Sequence, residues 1–270
     1  MNRFAPALLL FTGLTFSTQV VGQTQDFTSP PGGGARSSGS SSSILFGAKV
    51  GANYAIGSQK IQPDPKNPPT NPKGLGMMFG AYMELPFSDM VGIRPELGFS
   101  FRRFKTEQTQ NDSYSANDNV TLNGQPFVGT VDTKQETDQR LNYFQVNAPI
   151  TINPNENFRV MVGPSFAFLM GGKQNTDVST TIKGTVNGNQ SVNQDSFETT
   201  EKKGSSATKD FRKADIAAMA GVGYTLDAGL DMDLRFYRSI VTTFDASEGS
   251  SRHRVWTNLV EFSMGWTFGK

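Results

Sequence analysis

Residues 74–104 alternate with a period of two on both sides of a short break at Phe87-Ser88-Asp89. Leu75, Met77, Phe79, Ala81, Met83 and Leu85 fall on one face, and Gly76, Met78, Gly80, Tyr82 and Glu84 on the other. Beyond the break, Val91, Ile93, Pro95, Leu97, Phe99 and Phe101 share the apolar face, opposite Gly92, Arg94, Glu96, Gly98, Ser100 and Arg102. Side chains that swap sides at every residue belong to a strand, not a helix. Two such runs around a short turn predict an antiparallel hairpin with one greasy face and one face of charges and glycines. A soluble sandwich satisfies that pattern, and so does a membrane barrel with grease toward lipid and charge toward the lumen.

The remainder of the chain separates the two. A first strand is predicted over residues 44–56, ending at a proline-crowded loop, 57–73. The hairpin supplies strands two and three. A long hydrophilic segment, 105–138, precedes a fourth strand over 139–152, where Phe144, Val146, Ala148, Ile150 and Ile152 alternate with polar residues. The turn 153–157 leads to a fifth strand, 158–170, and a second long polar segment, 171–208. Strands six and seven, 209–226 and 230–243, flank the tight turn Asp227-Ala228-Gly229. A shorter loop, 244–251, precedes strand eight, 252–268, whose Trp256, Val260, Phe262, Met264, Trp266 and Phe268 share one face. Long and short connections alternate, so every long loop falls at one end, as in outer-membrane barrels. The expected fold is all-β: an eight-stranded antiparallel up-and-down transmembrane β-barrel spanning 44–270, with both termini periplasmic and the long loops outside the cell.

The opposite face agrees. Glu84, Arg94, Glu96, Arg102, Arg159, Asp215, Asp231, Asp233, Arg235 and Glu261 all fall on it. Buried singly in a soluble core they would be prohibitively costly, whereas inside a barrel they can pair, with small glycines making room. Tyr, Trp and Phe near strand ends suit interfacial girdles.

Composition fits the same compartment. Only 36% of the 270 residues are hydrophobic, and the mean hydropathy is −0.39. A helical membrane protein would need runs of roughly 20 apolar residues. A net charge of +1 gives no electrostatic reason to bind nucleic acid. The absence of cysteine removes disulfides, a thiol nucleophile and a lipidated N-terminal cysteine. Residues 1–22 read as a secretory signal peptide, with Arg3, a short apolar core from Ala5 to Phe16, and Val20 and Gly22 at the −3 and −1 sites. Residues 23–43, rich in Gly, Ser and Pro, read as a flexible periplasmic segment.

Several ordered motifs point to one family. Phe46-Gly-Ala-Lys-Val-Gly-Ala-Asn53 opens the first strand, and Met83-Glu-Leu-Pro86 is followed by Ile93-Arg-Pro-Glu-Leu97. Leu141-Asn-Tyr-Phe-Gln-Val-Asn-Ala-Pro149, Val162-Gly-Pro164 and Gly221-Val-Gly-Tyr224 follow in order. Together they resemble the PorT-like outer-membrane β-barrel family, with segments 105–138 and 171–208 longer than that family's usual loops. The resemblance implies an outer-membrane barrel, some of whose relatives serve protein-secretion machines. Fold alone does not give activity.

The chemistry-bearing residues are sparse. The single histidine, His253, lies near Glu248, Ser250 and Ser251. Neighbours in sequence do not make a triad, which must be assembled in space, so no catalytic residue is assigned. No cofactor or metal is expected: Asp231 and Asp233 read as partners of Arg94, Arg159 or Arg235, and no glycine-rich phosphate loop opens a helix. Three classes of function remain. The preferred one is a non-enzymatic structural or accessory subunit of an outer-membrane complex, possible roles being secretion or assembly. The others are a small porin-like channel and a lipid-modifying outer-membrane enzyme. The expected partners are outer-membrane lipids, the barrel-assembly machinery during insertion, and an outer-membrane protein complex.

Overall fold

The computed structural model describes residues 44–226, 229–249 and 251–268. The predicted signal peptide and the 23–43 segment lie outside the described residues, as do Asp227 and Ala228 of the predicted turn.

The described residues form thirteen antiparallel strands, which close into a ring of eight positions. In chain order they are β1 (Leu45–Gln62), β2 (Lys73–Pro86), β3 (Val91–Ile93), β4 (Glu96–Tyr114), β5 (Thr121–Leu122), β6 (Gln125–Asn147), β7 (Ile150–Ile152), β8 (Phe158–Val186), β9 (Gln190–Lys203), β10 (Ala214–Thr225), β11 (Leu230–Ser239), β12 (Phe244–Glu248) and β13 (Ser251–Phe268). Neighbours around the ring are β1, β2, the collinear β3 and β4, the collinear β7 and β6, β8, β10, β11 and β13. The ring closes where Phe46 lies opposite Phe268 and Ala48 opposite Trp266. Closure leaves the wall no open edge, so its backbone groups are satisfied without water.

Thirteen strands replace the eight expected for two reasons. Pro95 and Pro149 interrupt the runs read as strands three and four, because proline has no N–H to give the ladder. Their carbonyls are still used, accepting from Met83 N–H at 3.0 Å and Arg94 N–H at 2.9 Å. The second reason overturns a larger expectation. The hydrophilic segments 105–138 and 171–208 are mostly strand, not loop. Residues 105–114 pair with 129–138, 127–142 with 171–186, and 173–186 with 190–203. The wall thus runs on past its rim as a projecting sheet of β4, β6, β8 and β9. Both its faces are solvated, so it lacks the apolar alternation that marks a half-buried strand. Its tips turn on Asn123-Gly124 and Asn187-Gly188, all four with positive φ, the conformation Asn-Gly hairpin turns require. The segment 244–251 is likewise a hairpin of β12 and β13, and strand six begins at Ala214, not Lys209.

The two faces of the wall follow the sequence pattern. Leu75 is 70% exposed, Val50 62% and Leu97 55%, while Arg94 and Glu261 are 0% exposed. Phe79, Phe99 and Phe144 form a continuous outer aromatic run, with ring centroids 5.5 and 5.6 Å apart. An apolar surface this extensive is characteristic of a wall that faces lipid.

Candidate functional site

The lumen is the site the topology builds. Inward positions from every part of the ring meet there in layers.

Nearest the short turns is an ionic layer. Glu96 accepts from Arg235 at 2.7 Å, Lys49 at 2.7 Å and Asn147 at 3.1 Å. Arg159 reaches Asp231 at 3.0 Å and Asp233 at 2.9 Å, and Arg235 bonds Asp233 at 2.7 Å. Arg94 stands among Glu84, Glu96, Asp231 and Asp233, at 3.5–3.7 Å from each. The sequence pairing of Asp231 and Asp233 with Arg94, Arg159 and Arg235 is therefore what the structure contains. These charges are desolvated, so each depends on its partners. A buried ion removed from such a network leaves its counterparts uncompensated.

Glycine makes this layer possible at two places in particular. A Cβ on Gly47 would enter the Tyr82 ring, and one on Gly223 would lie 2.6 Å from Arg159 Nε. Tyr82 in turn donates to Asp231 and shares a 2.8 Å hydrogen bond with Thr267.

Toward the projecting sheet the lumen becomes apolar. Phe104, Leu141, Tyr143, Met161, Met219, Tyr237 and Leu259 pack as a buried cluster with Leu169 and Phe211 against it. One ion pair crosses this layer: Arg102 bonds Asp215 at 2.7 Å and lies 4.5 Å over the Tyr143 ring. The ionic and apolar layers together fill the cross-section, as expected for a ring of this size.

A cup opens at each end. At the short-turn end a cavity of about 570 Å³ is lined by Glu84, Asp89, Asn155, Glu156 and Arg159 among others. At the other end a cavity of about 310 Å³ is lined by Phe104, Gln135, Gln139, Phe211, Phe244 and His253. His253 packs edge-on to Phe244, 5.2 Å between centroids, and its Nε2 lies 3.1 Å from Gln59 Oε1. Burial lowers its pKa from the ordinary histidine value. The hydrogen bond to Gln59 occupies the nitrogen that a serine–histidine pair would use. Ser250, its neighbour in sequence, lies outside the described residues. The lumen layers were legible in the sequence as an inward face; the aromatic cup was not, because Phe211, Phe244 and His253 come from separate segments joined by the Phe211–Phe244 bridge.

Comparison with known proteins adds the following. The sequence model of the outer membrane protein beta-barrel domain matches residues 23–245. No curated protein matches. Among solved structures, the chain is similar to Ail, the attachment invasion locus protein of Yersinia pestis, at 12% identity over 80% of this chain and 97% of that one, with a TM-score of 0.27. Neisserial surface protein A is similar at 11% identity over 83% and 97%, with a TM-score of 0.30. OprG from Pseudomonas aeruginosa is similar at 13% identity over 82% and 96%, with a TM-score of 0.31. Scores this low transfer no property from one protein to another.

Proposed function

Because the chain belongs to the outer membrane protein beta-barrel domain family, we propose that it is a PorT-like, eight-stave transmembrane barrel acting as a non-enzymatic structural or accessory subunit of an outer-membrane complex. In this reading residues 1–22 are removed on export, the termini lie in the periplasm, and the projecting sheet stands outside the cell. The observation that carries it is the filled lumen. Arg94, Arg235, Glu96 and Glu261 are 0–2% exposed, and an apolar layer backs them, so diffusion through the ring is opposed by both charge and packing. What remains available to partners is the exterior: the sheet of β4, β6, β8 and β9, and the two cups.

The test is co-purification in mild detergent. A stoichiometric partner lost on replacing 109–134 with a short turn supports the subunit reading. Open-channel conductance of the intact protein in planar bilayers would favour the porin-like alternative, and phospholipid hydrolysis the enzyme.

A further inference from the structure

A row of basic side chains crosses the outer wall immediately above its aromatic band. Lys73 on β2 lies directly opposite Lys105 on β4. Arg103 on β4 lies directly opposite Arg140 on β6, and Arg140 directly opposite Lys173 on β8. Alternation with Leu75, Phe101 and Phe144 puts Lys73, Lys105, Arg103 and Arg140 on the lipid-facing side, and the bulge at Asn142/Tyr143 brings Lys173 onto it beside Arg140. Like charges directly opposite one another on adjacent strands destabilise a sheet, so this register needs an anion.

The protein supplies part of one. Asp138 accepts two hydrogen bonds from Arg103, at 2.8 Å each, and one from Arg140 at 3.2 Å. Glu201 pairs with Lys173. Higher up, Glu107 and Glu136 are held by Lys134, at 2.9 and 2.8 Å. Lys73 and Lys105 are both exposed and make no ion pair within 4 Å among the described residues, although Asp138, held by Arg103, lies opposite Lys105. Two exposed ammonium groups therefore face each other immediately above the aromatic band.

We propose that this row is a binding site for the phosphates of a membrane lipid, with the acyl chains lying on Phe79, Phe99, Phe101 and Phe144 below. Three arguments combine. The cations sit above an aromatic surface, which suits an amphiphile and not a free anion. The row crosses four neighbouring strands, about 14 Å at the usual strand spacing, which is broader than one phosphate and fits a head carrying two. Arg140 and the remaining Nη1 of Arg103 supply planar donors for phosphate oxygens, while Lys73 and Lys105 supply point charge. The inference rests on the membrane-spanning reading of the wall, though not on which leaflet the row faces.

The test uses the full chain in lauryldimethylamine oxide, titrated by native mass spectrometry with bis-phosphorylated lipid A, the same lipid dephosphorylated, or inorganic phosphate. The expected result is binding of the phosphorylated lipid about tenfold tighter than the dephosphorylated one, a difference of about 1.4 kcal/mol. Lys73→Gln with Lys105→Gln should abolish that preference, while Lys183→Gln, far out on the projecting sheet, leaves it intact. Lys105→Glu, which sets a carboxylate opposite both Lys73 and Asp138, should also abolish it. Equal binding of the two lipids, displacement of the lipid by equimolar inorganic phosphate, or wild-type preference in the double variant would each overturn the proposal. Heat-modifiability on gels, measured in parallel, reports on the barrel reading separately: a wild-type protein without it fails as a barrel, and a heat-modifiable one without lipid preference fails only here.

Discussion

The guanidinium carbon of Arg94 lies 3.6 Å above the centroid of the Tyr82 ring. The ring faces Gly47 on its neighbouring strand, and its hydroxyl continues to Asp231 and Thr267. Arg94 is thus held by an aromatic face and by four carboxylates, none closer than 3.5 Å. Its role is central charge balance more than any single bond.

Arg94→Met should therefore destabilise the barrel by about 3–5 kcal/mol, the range for removing one partner of a buried ionic network. Tyr82→Phe, which keeps the ring, should cost about 1.5–3 kcal/mol through its lost hydrogen bond to the charged Asp231, which keeps Thr225, Thr267 and Arg159. Urea unfolding in detergent, followed by tryptophan fluorescence, ranks the two. Equal tolerance of both would mean that the ionic layer does not hold the ring together.

The outer face makes a separate demand. Arginine at Phe79, Leu97 or Val162 should destabilise by about 2–4 kcal/mol near mid-membrane, whereas Asn189→Arg at the tip of the β8–β9 hairpin should be neutral. The comparison is made by equilibrium folding into liposomes. A similar cost at Asn189 would reject the assigned faces.

A closed ladder without edges should resist SDS until boiled. Boiled and unboiled samples are expected to migrate differently, with circular dichroism dominated by strand. Identical migration would mean that the β1–β13 seam is open.

Acidification should loosen the aromatic cup around His253. Burial lowers the His253 pKa below that of the unfolded chain. The folded form therefore binds fewer protons than the unfolded one between the two values. Its contribution is fully present above about pH 6.5, the unfolded value, and falls as pH drops through the lower folded one. Hydrogen exchange of β12 should accelerate over that interval, and His253→Gln should remove the dependence. An unchanged profile in the variant would assign the effect to another group.

Deleting 266–270 removes Trp266 and Phe268, which sit opposite Ala48 and Phe46 across the seam. If the assembly machinery reads this terminal strand, the truncated chain should reach the periplasm and be degraded there without inserting. Fractionation decides: normal amounts folded in the outer membrane would reduce these aromatics to interfacial packing.

Much of this was readable from the sequence, and the reason is local. Alternation at Arg94, Glu96, Leu97 and Phe99 assigns each residue to a face without knowing any partner. What alternation cannot show is register. Arg102 meets Asp215, and Lys73 meets Lys105, only because the strands align as they do. The projecting strands escaped for the opposite reason: two solvated faces carry no hydrophobic period. Their signal was the pair of Asn-Gly turns at 123–124 and 187–188, together with Thr- and Val-rich flanks such as Val178, Thr180, Thr181 and Ile182. Pro95 and Pro149 were equally visible breaks within runs whose side-chain pattern continued across them.

The seam joins the first described strand to the last. Every other wall contact is made between strands near in sequence and can form while later residues are still being synthesised or exported. The contact of Phe46 with Phe268 cannot. It closes the longest loop among the described strands, at the greatest entropic cost, and only once β13 exists. Until then the sheet has two unprotected edges of hydrophobic strand. Arrival of β13 and completion of the ring are therefore the same event, so a product lacking that strand stays open, adhesive and recognisable to proteases.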